Sequence, residues 1–111
     1  MKLWIDDVRP APEGFIAFRT TNDALRYIRL HSEFIDFIDI DHDAGDCVIE
    51  GGDFIEILKE LERLSNKNTS ESFYWQDWLQ NQVVFRVHSM NHVGVANMRR
   101  IIQRNGWKEV F

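Results

Sequence analysis

The order of elements written in this sequence predicts an α/β sandwich built on a largely parallel sheet. Three observations carry that prediction. Short apolar runs such as KLWID, FIAFR and VVFRV alternate with stretches of helical period, as strand–crossover–strand units require. The stretch DFIEILKELERL carries apolar side chains at Phe54, Ile57, Leu58, Leu61 and Leu64, a stripe of 3.6-residue period. Finally, the first two strands are separated by a segment with two prolines and a glycine, which leaves no room for a helix.

The elements follow in order. Residues 2–7 form a first strand that ends in two acids, Asp6 and Asp7. Residues 8–14 are a loop, and 15–19 a second strand. Thr20 or Thr21 is placed to cap a helix over about 22–31, with Ala24, Leu25 and Ile28 on one face. A third strand is expected over 34–40, although Asp36 and Asp39 interrupt its apolar run. Asp53 is placed to cap the striped helix, and 65–72 reads as a polar linker. The aromatic segment 73–82 suits a short helix over one edge of the sheet, with Trp75 and Trp78 covering the core. Residues 83–87 are a fourth strand. Asn91 opens a last helix to about 104, ended by Asn105-Gly106, and 107–111 form a final strand.

In such sheets ligands sit beyond the carboxyl ends of the strands. Three strands end there in polar clusters: Asp6-Asp7, then Asp41-His42-Asp43, then His88-Ser89. For Asp6 and Asp41 to meet, the second strand must run parallel to the first. The loop 8–14 must then retrace the sheet without a helix. Seven or eight residues extend to about 25 Å, enough to span a strand of about 17 Å.

Carboxylates from two strand ends are a common way to hold Mg²⁺, a hard cation that prefers oxygen. Asp6, Asp7, Asp41 and Asp43 are the candidate ligands; solvated loop acids and helix caps are the alternative reading of the same residues. His42 and His88, facing one phosphate, could serve as general base and general acid in opening a cyclic phosphodiester. Strand-end histidines hydrogen-bonded to neighbouring acids are the plainer alternative. Ser89 and Asn91 lead into a helix N-terminus, which favours a phosphate, and Gly94 permits close approach. Arg9 and Arg99 are candidate phosphate clamps. Cys47 lies in an acidic loop that disfavours a thiolate, so it is not a candidate nucleophile, and Asp46 belongs to that loop.

Taken together, KLWIDDVRPAPEGF, IDIDHDAGD with the following GGDFIEIL, and VHSMNHVGVANMRRII resemble the cyclic-phosphate-processing receiver domains, a divergent branch of the CheY-like receiver family. The resemblance covers most of the chain outside 65–82. It implies a flavodoxin- or receiver-like three-layer sandwich, with strand order 2-1-3-4-5 and the first crossover helix replaced by a loop. It also implies that Asp6 and Asp7 match the receiver's metal-binding pair and Asp41 its phospho-acceptor. The implied activity is processing of a cyclic phosphate on a nucleotide or RNA end, carried by Asp6, Asp7, Asp41, His42, Asp43, His88 and Ser89.

Three departures stand out. Lys108 lies at the start of the last strand, where a phospho-accepting receiver wants a lysine at its end. His88 replaces the residue before the usual Ser/Thr switch. His92 stands where the family more often has proline.

Composition bounds the rest. At 111 residues, 44% apolar and 28% charged, the chain is one ordered globular domain, residues 1–111. A formal net charge of −5 argues against an extended nucleic-acid surface, though not against a small phosphorylated ligand or an RNA end. A single cysteine, no leader-like opening and no long apolar run imply a cytoplasmic protein without a membrane span. The expectation is therefore a phosphoesterase with Mg²⁺ as its cofactor. Two alternatives remain: a signalling receiver phosphorylated on Asp41, and a non-catalytic adaptor that presents the 73–78 segment to a partner.

Overall fold

In the computed structural model, which describes residues 1–44 and 51–111, five strands form one sheet in the order β2-β1-β3-β4-β5, with every neighbouring pair parallel. The strands are β1 (Lys2–Ile5), β2 (Phe15–Phe18), β3 (Phe37–Ile40), β4 (Val84–Val87) and β5 (Lys108–Glu109). The helices are α1 (Thr21–His31), α2 (Ile55–Asn66), α3 (Ser70–Asp77) and α4 (His92–Asn105). Cys47 and Asp46 lie outside the described residues.

The helix-free crossover is present as the sequence requires. Lys2 pairs with Phe15 and Ile5 with Phe18, so the loop carries the chain back along the full strand. Arg19 ties that loop down, donating to the carbonyl oxygens of both Asp6 (2.8 Å) and Arg9 (2.6 Å). Trp4 adds a bond from its indole N–H to the Arg9 carbonyl. A short loop with two fixed proline φ angles and three such ties loses little entropy on folding.

The helices all cover the same face of the sheet. Right-handed crossovers that advance from β2 to β3, β4 and β5 must leave their helices on one side. The burial pattern agrees. Leu3, Ile5, Ile38, Ile40, Phe85 and Val87 all point into the helix-covered core, together with Ala24, Ile57, Leu61 and Met98. The opposite face carries no helix among the described residues, and Trp4 holds the crossover loop beside it through the Arg9 carbonyl. No helix among the described residues is long and apolar enough to cross a membrane.

Several boundaries differ from the sequence expectation for local reasons. β3 begins at Phe37, because 32–34 form a 3₁₀ turn first. Asp53 does not cap α2, whose N-cap is Phe54; its carboxylate instead accepts the Ala44 N–H at 3.1 Å. The expected linker is mostly helical. α2 runs to Asn66, and α3 starts at Ser70 behind a capping box in which Thr69 and Ser72 satisfy each other's backbone. A π-turn, Trp78–Gln82, then buries Trp78 and Leu79, and the Trp78 indole donates to the Ile35 carbonyl. Trp75 and Trp78 thus belong to the core, closing it at the amino ends of the strands. At its far end α4 stops at Gly106, whose φ of 70° only glycine adopts without strain.

Candidate functional site

The carboxyl ends of β1, β3 and β4 bring the polar clusters together. Asp6, directly after β1, is fully buried and saturated. Its Oδ1 accepts the N–H groups of Val8 and Arg9 (both 2.9 Å), which is how the crossover loop begins its turn. Its Oδ2 accepts from the Arg9 guanidinium (3.0 Å) and from His88 Nε2 (2.9 Å). Burial pushes its pKa up, but the two backbone donors, His88 and Arg9 outweigh that and hold it below the ordinary carboxylate value.

Asp41 follows β3 and is also buried. Its Oδ1 accepts the His42 N–H (2.8 Å), and its Oδ2 lies 3.6 Å from Arg9. Oxygens of Asp6, Asp7 and Asp41 fall within 4.8 Å of one another. The Asp7 carboxylate has no hydrogen bond or ion pair among the described residues. A hard divalent cation suits this all-oxygen set. Asp7 and Asp41 have oxygens to offer it, whereas Asp6 is already spoken for. Arg9 stands across the same carboxylates, so a cation joining them competes with the guanidinium.

The two candidate histidines are held differently. His88, after β4, is bonded at both ring nitrogens: Nδ1 to Asp39 (2.5 Å) and Nε2 to Asp6 (2.9 Å). Its ring stacks on Trp4 with centroids 4.1 Å apart and planes within 10°. Burial lowers its pKa, yet the hydrogen bonds and charges of Asp39 and Asp6 win and raise it above the ordinary 6.5. A cation between two buried carboxylates and an aromatic face is the favoured state. The ring expected to exchange protons with a ligand thus has both nitrogens already hydrogen-bonded to carboxylates in this structure.

His42 is bonded at one nitrogen. Its Nδ1 pairs with Asp43 Oδ1 at 2.7 Å, which lowers the Asp43 pKa, against burial and with help from Asn91. Its Nε2 has no partner among the described residues and is not enclosed. The ring lies against the first turn of α4. A Cβ on Gly94 would come within 2.5 Å of His42 Cγ and 2.7 Å of its Cδ2, so only glycine fits there. Asp53 also offers an oxygen close to His42 and Asp43.

The remaining candidates sort themselves by their partners. Asn91 is a helix cap: its Oδ1 accepts the Gly94 N–H (2.9 Å) and one of its two amide N–H groups donates to Asp43 (3.2 Å), so it supports His42's partner. Ser89 Oγ accepts the Asn91 N–H and shapes the approach to α4. Arg99 does not join the constellation. Its guanidinium pairs with Glu109 (2.8 Å) and stacks on Phe111, and neither partner is part of the site. Lys108 reaches the Asn81 carbonyl, at the other end of the sheet from Asp41.

Asp39 and Arg19 are the residues that sequence reasoning missed. Asp39 carried a usable signal, because a carboxylate inside an apolar strand must find a cationic or hydrogen-bonding partner. Arg19 carried none.

A family model described as Cyclic-phosphate processing Receiver domain matches residues 1–104, and the chain belongs to that family. No curated protein and no solved structure matches the chain.

Proposed function

We propose that this chain, as a member of the cyclic-phosphate processing receiver domains, is a phosphoesterase that opens a cyclic phosphate on a nucleotide or an RNA end, with His42 as its proton-transferring group. The observation that supports this reading best is the asymmetry of the His42 ring. Asp43 fixes Nδ1, so that Nε2 is left to take a proton, the arrangement by which an acid orients a general base. Water attacking the phosphorus gives its proton to Nε2. One P–O bond forms and one ribose P–O bond breaks, and the same imidazolium returns the proton to the leaving ribose oxygen.

Arg9, which spans Asp6 and Asp41, supplies a cation at the strand ends, and the start of α4 adds the positive end of a helix dipole beside His42. His88 acts through Asp6 and Asp39 as a positioning residue. Asp7 and Asp41, with Asp6 behind them, are the residues that would hold Mg²⁺, and a bound Mg²⁺ supplies charge neutralisation at the phosphate.

The test is hydrolysis of 2′,3′-cyclic nucleotides by wild type, His42→Ala and Asp41→Asn, each with Mg²⁺ and with a chelator. Turnover by wild type that disappears in His42→Ala supports the reading. Equal turnover by wild type and His42→Ala sinks the role of His42, and no turnover by any form sinks the activity. Asp41 at the end of β3 keeps the receiver's acceptor position, which favours phosphorylation as the second reading. The distance of Lys108 from it counts against that reading. A mass gain of one phosphate on wild type with acetyl phosphate, absent in Asp41→Asn, would decide for it.

A further inference from the structure

We infer that the helix-free face of the sheet is a platform for single-stranded RNA, leading into the strand-end site. This deepens the reading above, on which the choice of RNA rests: only a ribose with a 2′-oxygen can carry the cyclic phosphate of a polynucleotide end.

All four helices lie on the other face, so the side chains that alternate with Leu3, Ile5, Ile38, Ile40 and Phe85 point away from the core. Trp4, Phe15 and Phe37 form a cluster there. Phe15 meets Phe37 at 5.9 Å and Trp4 at 6.2 Å, both edge to face, and all three rings are only half-buried although the core ignores them. The exposed strand charges on this face are Lys2, which lies over the Phe15 ring, Arg86, which is 3.8 Å from Asp39, and Lys108. Its one strand acid, Asp39, is buried and taken by His88 and Arg86. The crossover loop on the same side carries Arg9 and a single further acid beyond Asp7, Glu13. A chain of net charge −5 thus presents basic side chains among aromatic rings on the face of the sheet that no described helix covers. That pairing of cations for the backbone with rings for the bases is the chemistry of single-strand recognition.

The platform is also continuous with the site. Trp4 stacks directly on His88, which holds Asp6. Lys2, Phe15, Phe37, Val84 and Lys108 share one row across the sheet, in which Lys2, Phe37 and Val84 stand four residues before Asp6, Asp41 and His88. The distance along the strands is therefore about 13 Å. An RNA lying on the face reaches the site with its terminal phosphate.

The experiment measures the anisotropy of a labelled single-stranded RNA octamer ending in a 2′,3′-cyclic phosphate. The proteins are wild type, Phe15→Ala/Phe37→Ala and Lys2→Glu/Lys108→Glu. Each double variant is expected to weaken binding by at least about tenfold. The charge variant should also flatten the salt dependence, by about 0.7 in log–log slope for each phosphate it no longer neutralises. Circular dichroism of each variant checks that it is folded. Unchanged binding by both folded variants overturns the platform. Equally tight binding of single-stranded DNA overturns its assignment to RNA. A dimer of wild type in sedimentation that Phe37→Arg disperses, without any RNA binding, hands the face to a second copy of the chain instead.

Binding is read without turnover, so the two proposals fail separately. RNA bound without hydrolysis of cyclic nucleotides leaves the platform standing and removes the activity. Hydrolysis without RNA binding does the reverse.

Discussion

His42 and His88 end neighbouring strands of one sheet, β3 and β4, yet their surroundings assign them opposite work. His88 is enclosed between Asp6, Asp39 and Trp4, with both nitrogens engaged and its charged form favoured. His42 rests on Gly94, with one nitrogen fixed by Asp43 and the other without a partner among the described residues. The difference teaches that a histidine at a strand end among carboxylates is not thereby an acid or base. Proton exchange needs a free nitrogen; a ring bonded at both ends is an internal cation that keeps buried carboxylates in place. The substitutions that follow test that contrast.

The largest effect is expected at His42. Replacing it with alanine should lower the turnover of a 2′,3′-cyclic nucleotide by about 10²–10⁴-fold, the usual worth of a general base. Thermal unfolding should show little loss of stability. His88→Ala should do the opposite. It strands Asp6 and Asp39 as buried carboxylates short of a partner and costs about 3–5 kcal/mol in urea unfolding. A folded His88→Ala that is as stable as wild type would break the comparison.

Gly94→Ala comes next. The new methyl cannot share space with the His42 ring, so the ring must swing away from α4, and turnover should fall about tenfold while substrate binding changes less. A normal rate in Gly94→Ala would mean that the ring's seat against the helix is dispensable.

The pH dependence of stability sharpens the same contrast. His88 has a raised folded pKa, so its contribution is complete below 6.5 and is lost as pH rises through the folded value. Asp6 has a lowered folded pKa, so its contribution is present above 3.8 and is lost as pH falls through the folded value. Urea midpoints of wild type should therefore decline from about pH 6.5 upward, and His88→Gln should show a flatter alkaline limb. The smallest effect is expected from Arg9→Ala. Removing the guanidinium that spans Asp6 and Asp41 should tighten Mg²⁺ binding a fewfold by calorimetry, whereas equal affinity would mean that Arg9 and the metal do not compete.

How much of this is legible in the sequence depends on how local the cause is. The helix-free connection between the first two strands is legible in the 8–14 loop, because two prolines leave few alternatives, whereas the order 2-1-3-4-5 comes from the resemblance. The polar strand ends are visible as Asp6-Asp7, Asp41-His42 and His88-Ser89, and the first two clusters meet through Asp6, Asp7 and Asp41. What stays hidden depends on distant partners. Asp39 looks like a blemish in FIDI because the ring that justifies it is 49 residues away. Asp53 and Asn91 both carry the sequence mark of a capping residue. Only Asn91 caps its helix, because α2 begins two residues after Asp53, which turns to Ala44 instead. The place of Arg99 on α4 suggests a phosphate clamp, yet Glu109, on the adjoining strand, has the stronger claim to it.

The stack of Trp4 on His88 has an optical consequence. Of the four tryptophans, Trp75, Trp78 and Trp107 are buried in the core, and Trp4 stacks on an imidazole. An imidazolium in van der Waals contact drains an excited indole, and a neutral imidazole does so far less. The intrinsic emission of this chain should therefore brighten as His88 loses its proton. The fold thus carries its own unlabelled gauge of whether the Asp6–His88–Asp39 bridge is charged.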